Sequence, residues 1–438
     1  MRYGALAVSI CFIFSSLHSS AQQQDSLLTD ATLPNVISYA LKQQPVVQQA
    51  QIDERITDLQ VKSRLADWFP QVNFNYLYQH NFQVQTNIIG GNPVKLGVDN
   101  TSALQFSASQ TIFNRDVLLA KRTGSMVRQQ ARQQTAGTRI DVVANVSKAF
   151  YDVLATEQQI KVTTENIIRL QKSLNDAKNQ YDAGVVDKTD YKRATIALNN
   201  AMAARKSNEE VLKAKKAYLK QLMNYPVSAD LNIIYDSATL EGEIAVDTTL
   251  DADYSKRIEY RILETQRQLQ EANLQYNKWA YIPSLSANGA YNLNFQNNSF
   301  GKLYNTSYPN SYAGLTLAFP IFQGGKRHYN IRQAEWELKR TDLDIVNLKN
   351  EVNSEYSAAI AGYKANLANY FAVKENVELA KEVYEVIQLQ YRSGVKTYLE
   401  VITAETDLRT AQINYFDALY GVLSSKIDVQ KSLGQINP

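Results

Sequence analysis

Tyr181-Asp182-Ala183-Gly184-Val185 returns 210 residues later as Tyr391-Arg392-Ser393-Gly394-Val395, and reading these two stretches together decides the fold. The same shift relates Asp190 to Glu400, Ala194 to Ala404, Leu198 to Leu408 and Ala201 to Ala411. Pro70 and Pro283 match at a shift of 213, and Ile112-Phe113 and Ile321-Phe322 at 209. Near-equal shifts along most of the chain imply an internal duplication. The boundaries expected from it are a first repeat over 22–224, a connecting segment over 225–253, and a second repeat over 254–438. The connecting segment holds Pro226 and the acids Asp230, Asp236, Glu241, Glu243, Asp247, Asp251 and Asp253, with no Lys or Arg.

Upstream of each Gly-Val pair lies a long heptad register. Val146, Val153, Ile160, Ile167, Leu174 and Tyr181 fall seven apart, as do Tyr356, Tyr363, Tyr370, Val377, Tyr384 and Tyr391. That spacing puts one side chain per two turns on a common seam, the pattern of a coiled coil. No proline interrupts 94–225 or 321–437. A helix over 115–181 would be about 100 Å long. Gly184 and Gly394 then stop the helices, since glycine tolerates the left-handed backbone of a helix C-terminus. Returning helices are expected over 188–223 and 397–433, with Ala194, Leu198, Ala201, Leu212, Leu219 and Leu222 spaced for the same seam. Each repeat thus ends in a helical hairpin (115–223 and 326–433) whose tips are Gly184-Val185 and Gly394-Val395. The tyrosine register is read as packing, because knobs of that size need small residues opposite.

Ahead of each hairpin the period changes from seven to two. Val72, Phe74, Tyr76, Tyr78 and Phe82 oppose Gln71, Asn73, Asn75, Gln79 and Asn81; Leu285, Ala287, Tyr291, Leu293 and Phe295 oppose Ser284, Ser286, Asn288, Asn292 and Asn294. Strands are expected over 71–82, 102–113, 284–295 and 311–322, joined by Gly/Asn/Pro-rich loops, 83–101 and 296–310. A helix precedes each strand pair (36–68 and 254–281) and is stopped by Pro70 or Pro283. Alternation alone also fits a soluble sheet with one wet face. Strands of about ten residues, with Trp68, Phe69, Phe82, Tyr281, Phe319 and Phe322 at their ends, fit a bilayer crossing with an aromatic girdle. If they cross, the sheet must close, because open edges are not tolerated in hydrocarbon. Four strands cannot close; two copies would give eight, and three would give twelve with a usable lumen.

The bulk properties exclude other classes. Formal charge is only +3 over 438 residues, without the basic stripe of a nucleic-acid protein. No apolar run of 18 residues marks a membrane helix. Residues 1–21 read as a signal peptide: Arg2, an apolar stretch from Ala5 to Phe14, and Ser19-Ser20-Ala21 before Gln22. The single cysteine, Cys11, falls inside it, so neither disulfide nor acyl anchor is expected. His80 and His328 stand apart in different repeats, offering no metal cluster. No phosphate loop, nucleophile elbow or paired catalytic carboxylates occur. The expectation is a passive protein without cofactor, metal or catalytic residues.

The duplicated strand–strand–hairpin unit, the run Phe319-Pro320-Ile321-Phe322-Gln323-Gly324-Gly325-Lys326 and the two Tyr-x-x-Gly-Val turns resemble the TolC-like outer-membrane efflux proteins. The resemblance implies a trimeric outer-membrane β-barrel of twelve strands, continued by a periplasmic coiled-coil barrel of twelve helices. It implies a duct fed by an inner-membrane pump or ABC exporter through a periplasmic adaptor (membrane fusion protein), for multidrug efflux or type I secretion. It places adaptor docking at Gly184, Val185, Gly394 and Val395. It places a closed entrance on Tyr391 and Lys396, with Asp190 as their partner, and an acidic entrance ring on Glu400 and Thr403, of which only the first is acidic. Asp190 and Glu400 also sit where acids favour a helix dipole. The first-repeat counterpart of the Gly-Gly turn is Asn114-Arg115-Asp116, a departure from the pattern. A secreted coiled-coil adhesin would share the heptads but has no use for four amphipathic strands; a periplasmic adaptor would lack the duplication.

Overall fold

The computed structural model describes residues 28–437 apart from 186, 236 and 252. The expected signal segment, with Cys11, lies outside the described residues.

Proline placement shapes the N-terminal part. α1 (Leu33–Gln43) and α2 (Pro45–Ala66) are separate helices, where one was expected over 36–68. Gln44 divides them, held extended at φ −65°, ψ 121° because a residue before proline is driven out of the helical region. After Pro70 the chain enters β1 (Gln71–His80). The loop that follows is not irregular throughout. It contains a small hairpin, β2 (Thr86–Ile89) and β3 (Asn92–Lys95), turned by Gly90 and Gly91 at φ 60° and 84°. Two successive positive φ values are what a tight hairpin turn requires.

β1, β4 (Asn100–Phe113), β5 (Ser284–Asn297) and β6 (Ser307–Ala318) form one antiparallel sheet in the order β1-β4-β5-β6. Gln71 faces Ser109, Asn100 faces Asn297, and Ser284 faces Ala318. The last strand was expected over 311–322 and lies four residues earlier. The ladder to β5 ends at Ser284, so nothing remains to pair with residues after 318, and Pro320 has no N–H to offer. Pro309 is tolerated inside β6 because that strand is an edge. Every residue of β1 and β6 is exposed, Val72 to 73%. A soluble sheet would cover one of its faces.

The helices carry the length of the molecule. α3 (Arg115–Asp182) has 68 residues and α7 (Lys326–Arg392) has 67. α4 (Lys188–Met223) returns along α3, and α8 (Tyr398–Ser432) along α7. A short α5 (Ser237–Gly242) lies in the connecting segment, and α6 (Ile258–Lys278) precedes β5. α3 also packs against α8, α6 and α2, so the hairpins lie side by side. The largest core is at mid-length, where Phe150, Leu154, Leu219, Tyr363, Tyr370 and Leu423 meet the inner side of the connecting segment through Leu231 and Ile233. A bridge from Ala31 to Ile233 ties that segment to the start of the chain.

The seam of α3 departs from the expected register toward the tip. Val146 and Val153 are buried, but Ile160, Ile167 and Leu174 are only half-buried; Val162, Asn166, Leu170, Ser173 and Ala177 take the inside. A straight helix of 3.6 residues per turn drifts about 20° per heptad, so an interior stripe migrates across a strict seven-residue register. On α7 the tyrosines keep the inside: Tyr363, Tyr370 and Tyr384 are buried.

Candidate channel entrance at the helical tips

The two hairpin tips are the same object built twice. Gly184 has φ 72° and Gly394 φ 76°. Gly184 N–H donates to Tyr181 O at 2.9 Å and Val185 N–H to Gln180 O at 2.9 Å; Gly394 N–H donates to Tyr391 O at 3.0 Å and Val395 N–H to Gln390 O at 2.9 Å. These paired bonds satisfy the last carbonyls of α3 and α7 and oblige the chain to reverse. Both glycines have open space where a Cβ would sit, and Val185 and Val395 project into solvent.

The returning helices start differently. Asp187 caps α4, its carboxylate accepting from Thr189 N–H at 2.7 Å. Thr397 caps α8 in a capping box with Glu400, which accepts from Thr397 N–H at 2.9 Å. The other Glu400 oxygen accepts from Lys396 Nζ at 2.7 Å. The Lys396 ammonium, followed by the Thr397 N–H, holds the Glu400 carboxyl down at about 2. Glu400 therefore serves as the helix-start acid of α8 and is ion-paired with Lys396. Thr403 turns its hydroxyl back to Leu399 O at 2.9 Å, leaving Glu400 the one acid of the expected pair.

Tyr391 and Asp190 are brought to the same level. Tyr391 OH donates to Gln180 Oε1 at 2.9 Å, joining α7 to α3, and its ring lies 5.8 Å from that of Tyr398. Burial pushes the Tyr391 hydroxyl up, and the charges of Asp190 and Asp176 add to the effect. Tyr398 packs with Ala177 and Ala194, against which Tyr391 and Ile402 also lie, so four helices converge just inside the tips. Lys396, in the turn before α8, is held by Glu400 of that helix and not by Asp190.

One constellation escaped the sequence reading. Glu405 is 1% exposed, and its Oε1 accepts from Asn166 Nδ2 at 3.1 Å and Arg169 Nε at 3.2 Å, across from α8 to α3. Glu405 Oε2 and Arg169 Nη2 have no protein partner. Glu405 and Asn166 border a groove of about 390 Å³ that Arg193 and Arg409 also line. Burial pushes the Glu405 carboxyl up, against the pull of Arg169. The only signal in the sequence was an acid adjoining Ala404 on the seam.

No helix among the described residues is long and apolar enough to cross a membrane, and no group of metal-binding side chains occurs among them.

Comparison with known proteins agrees with this architecture. The chain is 21% identical to the Outer membrane protein TolC of Vibrio cholerae over 336 residues, spanning 75% of this chain and 76% of that one. It is 20% identical to the Outer membrane efflux protein BepC of Brucella suis, over 92% of this chain and 86% of that one. Among solved structures, CusC superposes with a TM-score of 0.76 at 17% identity, covering 95% of both chains. VceC of Vibrio cholerae gives 0.73 at 13% identity, over 92% of this chain and 96% of that one. The sequence profile described as Outer membrane efflux protein matches residues 36–224 and 261–435. With both hairpins and the whole four-stranded sheet inside that match, the chain belongs to the outer membrane efflux protein family.

Proposed function

We propose that this chain is one protomer of a homotrimeric duct: a twelve-stranded barrel in the outer membrane continued by a twelve-helix tunnel in the periplasm. The observation that carries the reading is the open sheet. β1 and β6 are both unpaired edges and both exposed along their whole length. In hydrocarbon each unsatisfied N–H or C=O costs several kcal/mol, so the edges must meet edges of other copies. The helices support the same conclusion. On α7, Leu379, Val383 and Val386 form an i, i+4, i+7 stripe, each 52% exposed. A stripe of that spacing is built to pack on another helix.

In this reading the two repeats, 22–224 and 254–438, each contribute two strands and one hairpin, and the duct itself is passive. A periplasmic adaptor docks on Gly184, Val185, Gly394 and Val395, and the inner-membrane pump or ABC exporter behind it supplies the energy. Tyr391 and Asp190, with Lys396 and Glu400, form the gate and the selectivity ring. Proteins named as efflux channels among the relatives support the reading. The test is physical: purify the protein in detergent and measure its mass by light scattering, alongside an unboiled and a boiled gel. A heat-sensitive species of three chain masses is expected. A monomer in detergent, or a protein recovered from the soluble fraction of the envelope, would overturn the proposal.

A further inference from the structure

The four junctions between sheet and helices share a chemistry that neither the strands nor the tips require. Bases come from the starts of α3 and α7, and aromatics from the ends of α2 and α6. The Lys121 ammonium lies 5.2 Å from the Trp68 ring, and the Arg122 guanidinium 5.9 Å from that of Trp279. Arg115 lies 4.5 Å from Tyr276, and Arg327 5.0 Å from Tyr281. A ring face orients a cation without neutralising it, so each base keeps its charge for something else. Acids are few here, and Asp67 adjoins Trp68 at the end of α2. Residues 274–283 and 320–332 contain none, and Asp116, the one acid near Arg115, accepts from Tyr276 OH at 2.6 Å.

The start of α7 is the strongest part of this collar. Lys326 and Arg327 occupy the first turn, where the helix dipole is already positive, with no acid in that turn and a glycine cap that offers no side chain. Bases there are unfavourable by some tenths of a kcal/mol unless an anion is present. Arg327 is only 8% exposed; its Nε donates to Gln323 Oε1 at 3.2 Å, while its buried Nη2 has no protein partner. A buried guanidinium nitrogen left open, at a helix start lacking its own anion, is a site for an external oxyanion. The opposite ends of the strands carry fewer bases: residues 80–100 hold Lys95 and Asp99, and residues 297–307 hold Lys302 as their one charge.

We propose that this collar binds the headgroup phosphates of anionic phospholipids in the leaflet that meets the helical side of the barrel. The inference rests on the reading of β1, β4, β5 and β6 as membrane-spanning. Given that reading, the collar is continuous with the lipid-facing strands, and its aromatics sit where amphipathic rings belong. Basic side chains at such a surface favour anionic lipid by about fivefold each.

The test uses the full-length protein reconstituted into vesicles of phosphatidylcholine alone, or of phosphatidylcholine with phosphatidylglycerol, and native mass spectrometry of lipid retained after extraction. Enrichment of phosphatidylglycerol on the wild type is expected. The Lys121→Gln/Arg122→Gln double variant changes two exposed side chains and should fold; it should lose at least about fivefold of that enrichment. An Arg327→Gln variant should lower it further. Equal retention of both lipids, or enrichment unchanged in the double variant, would overturn the collar while leaving the barrel intact. Displacement of the lipid by inorganic phosphate at low millimolar concentration would also overturn it, by making the site one for free anions. Failure to insert into either vesicle would sink the membrane-spanning reading itself, and the collar with it.

Discussion

Lys396, in the tip just before α8, and Glu400, in the first turn of that helix, face each other at 2.7 Å, so two residues expected at the entrance are bonded inside one chain. The same Glu400 closes the cap of the helix through Thr397. Within the chain, a hydrogen bond between the hairpins at this level runs from Tyr391 to Gln180, and not from Lys396 to Asp190. Tyr391, Lys396 and Glu400 therefore each have a partner inside the chain.

Glu400 should remain charged under all ordinary conditions. Its folded value, about 2, lies below the ordinary glutamate value, so its stabilising contribution is fully present above the latter and is lost as pH falls toward about 2. Cation preference, measured as reversal potential in planar bilayers, should be constant from pH 7 to about pH 5. Glu400→Gln should remove it at every pH. A cation preference that already titrates between pH 7 and 5 would show that another acid sets selectivity.

Tyr391→Phe deletes the hydrogen bond to Gln180 but keeps the ring packed on Tyr398. A hydrogen bond of this kind contributes about 1 kcal/mol, a change of about fivefold in an equilibrium between closed and open tips. Resting conductance should rise while thermal stability changes little. Wild-type conductance would remove Tyr391 from the gate.

The glycines give a graded test. Gly184→Ala and Gly394→Ala meet no neighbouring atom, so each should cost about 1 kcal/mol from the left-handed backbone alone. At Gly434, with φ 65°, a Cβ would lie 2.7 Å from the backbone oxygen of Lys256. Gly434→Ala should therefore lower the melting temperature clearly more than either tip variant. Equal losses at all three positions would contradict the packing of the C-terminus on the Lys256 turn.

The buried Glu405 predicts a pH dependence of opposite sign to that of Glu400. Because burial raises its folded value, the folded chain binds a proton more readily than the unfolded one. Stability should then increase as pH falls through the region above the ordinary glutamate value. Glu405→Gln should flatten this part of the melting profile. Glu405→Ala should cost about 3 kcal/mol or more, since Arg169 would keep its charge without its partner. A wild-type pH profile in Glu405→Gln would place the titration elsewhere.

Much of the molecule was legible because its signals are periodic and local. Period seven, then glycine, marked the hairpins and both tips, since helix packing and the left-handed turn depend on residues close in sequence. Period two marked β1, β4 and β5. The errors fell where a local rule competed with a partner. β6 began four residues early because its ends are set by pairing with β5, and the α2 boundary at Pro45 was passed over in favour of the longer pattern.

By itself, the sequence determined that the chain is a duplication of strands and long hairpins, and which residues turn them. Only the tertiary structure decided which polar groups meet. The Arg169–Glu405 pair joins residues 236 apart, and the collar joins Trp68 to Lys121 and Arg122 to Trp279. Such contacts depend on how two helices lie against each other, and helix drift moves the interior stripe away from the register that the heptads spell out. Charge and burial at a given residue are therefore properties of the packed assembly of helices, which no spacing along a single one records.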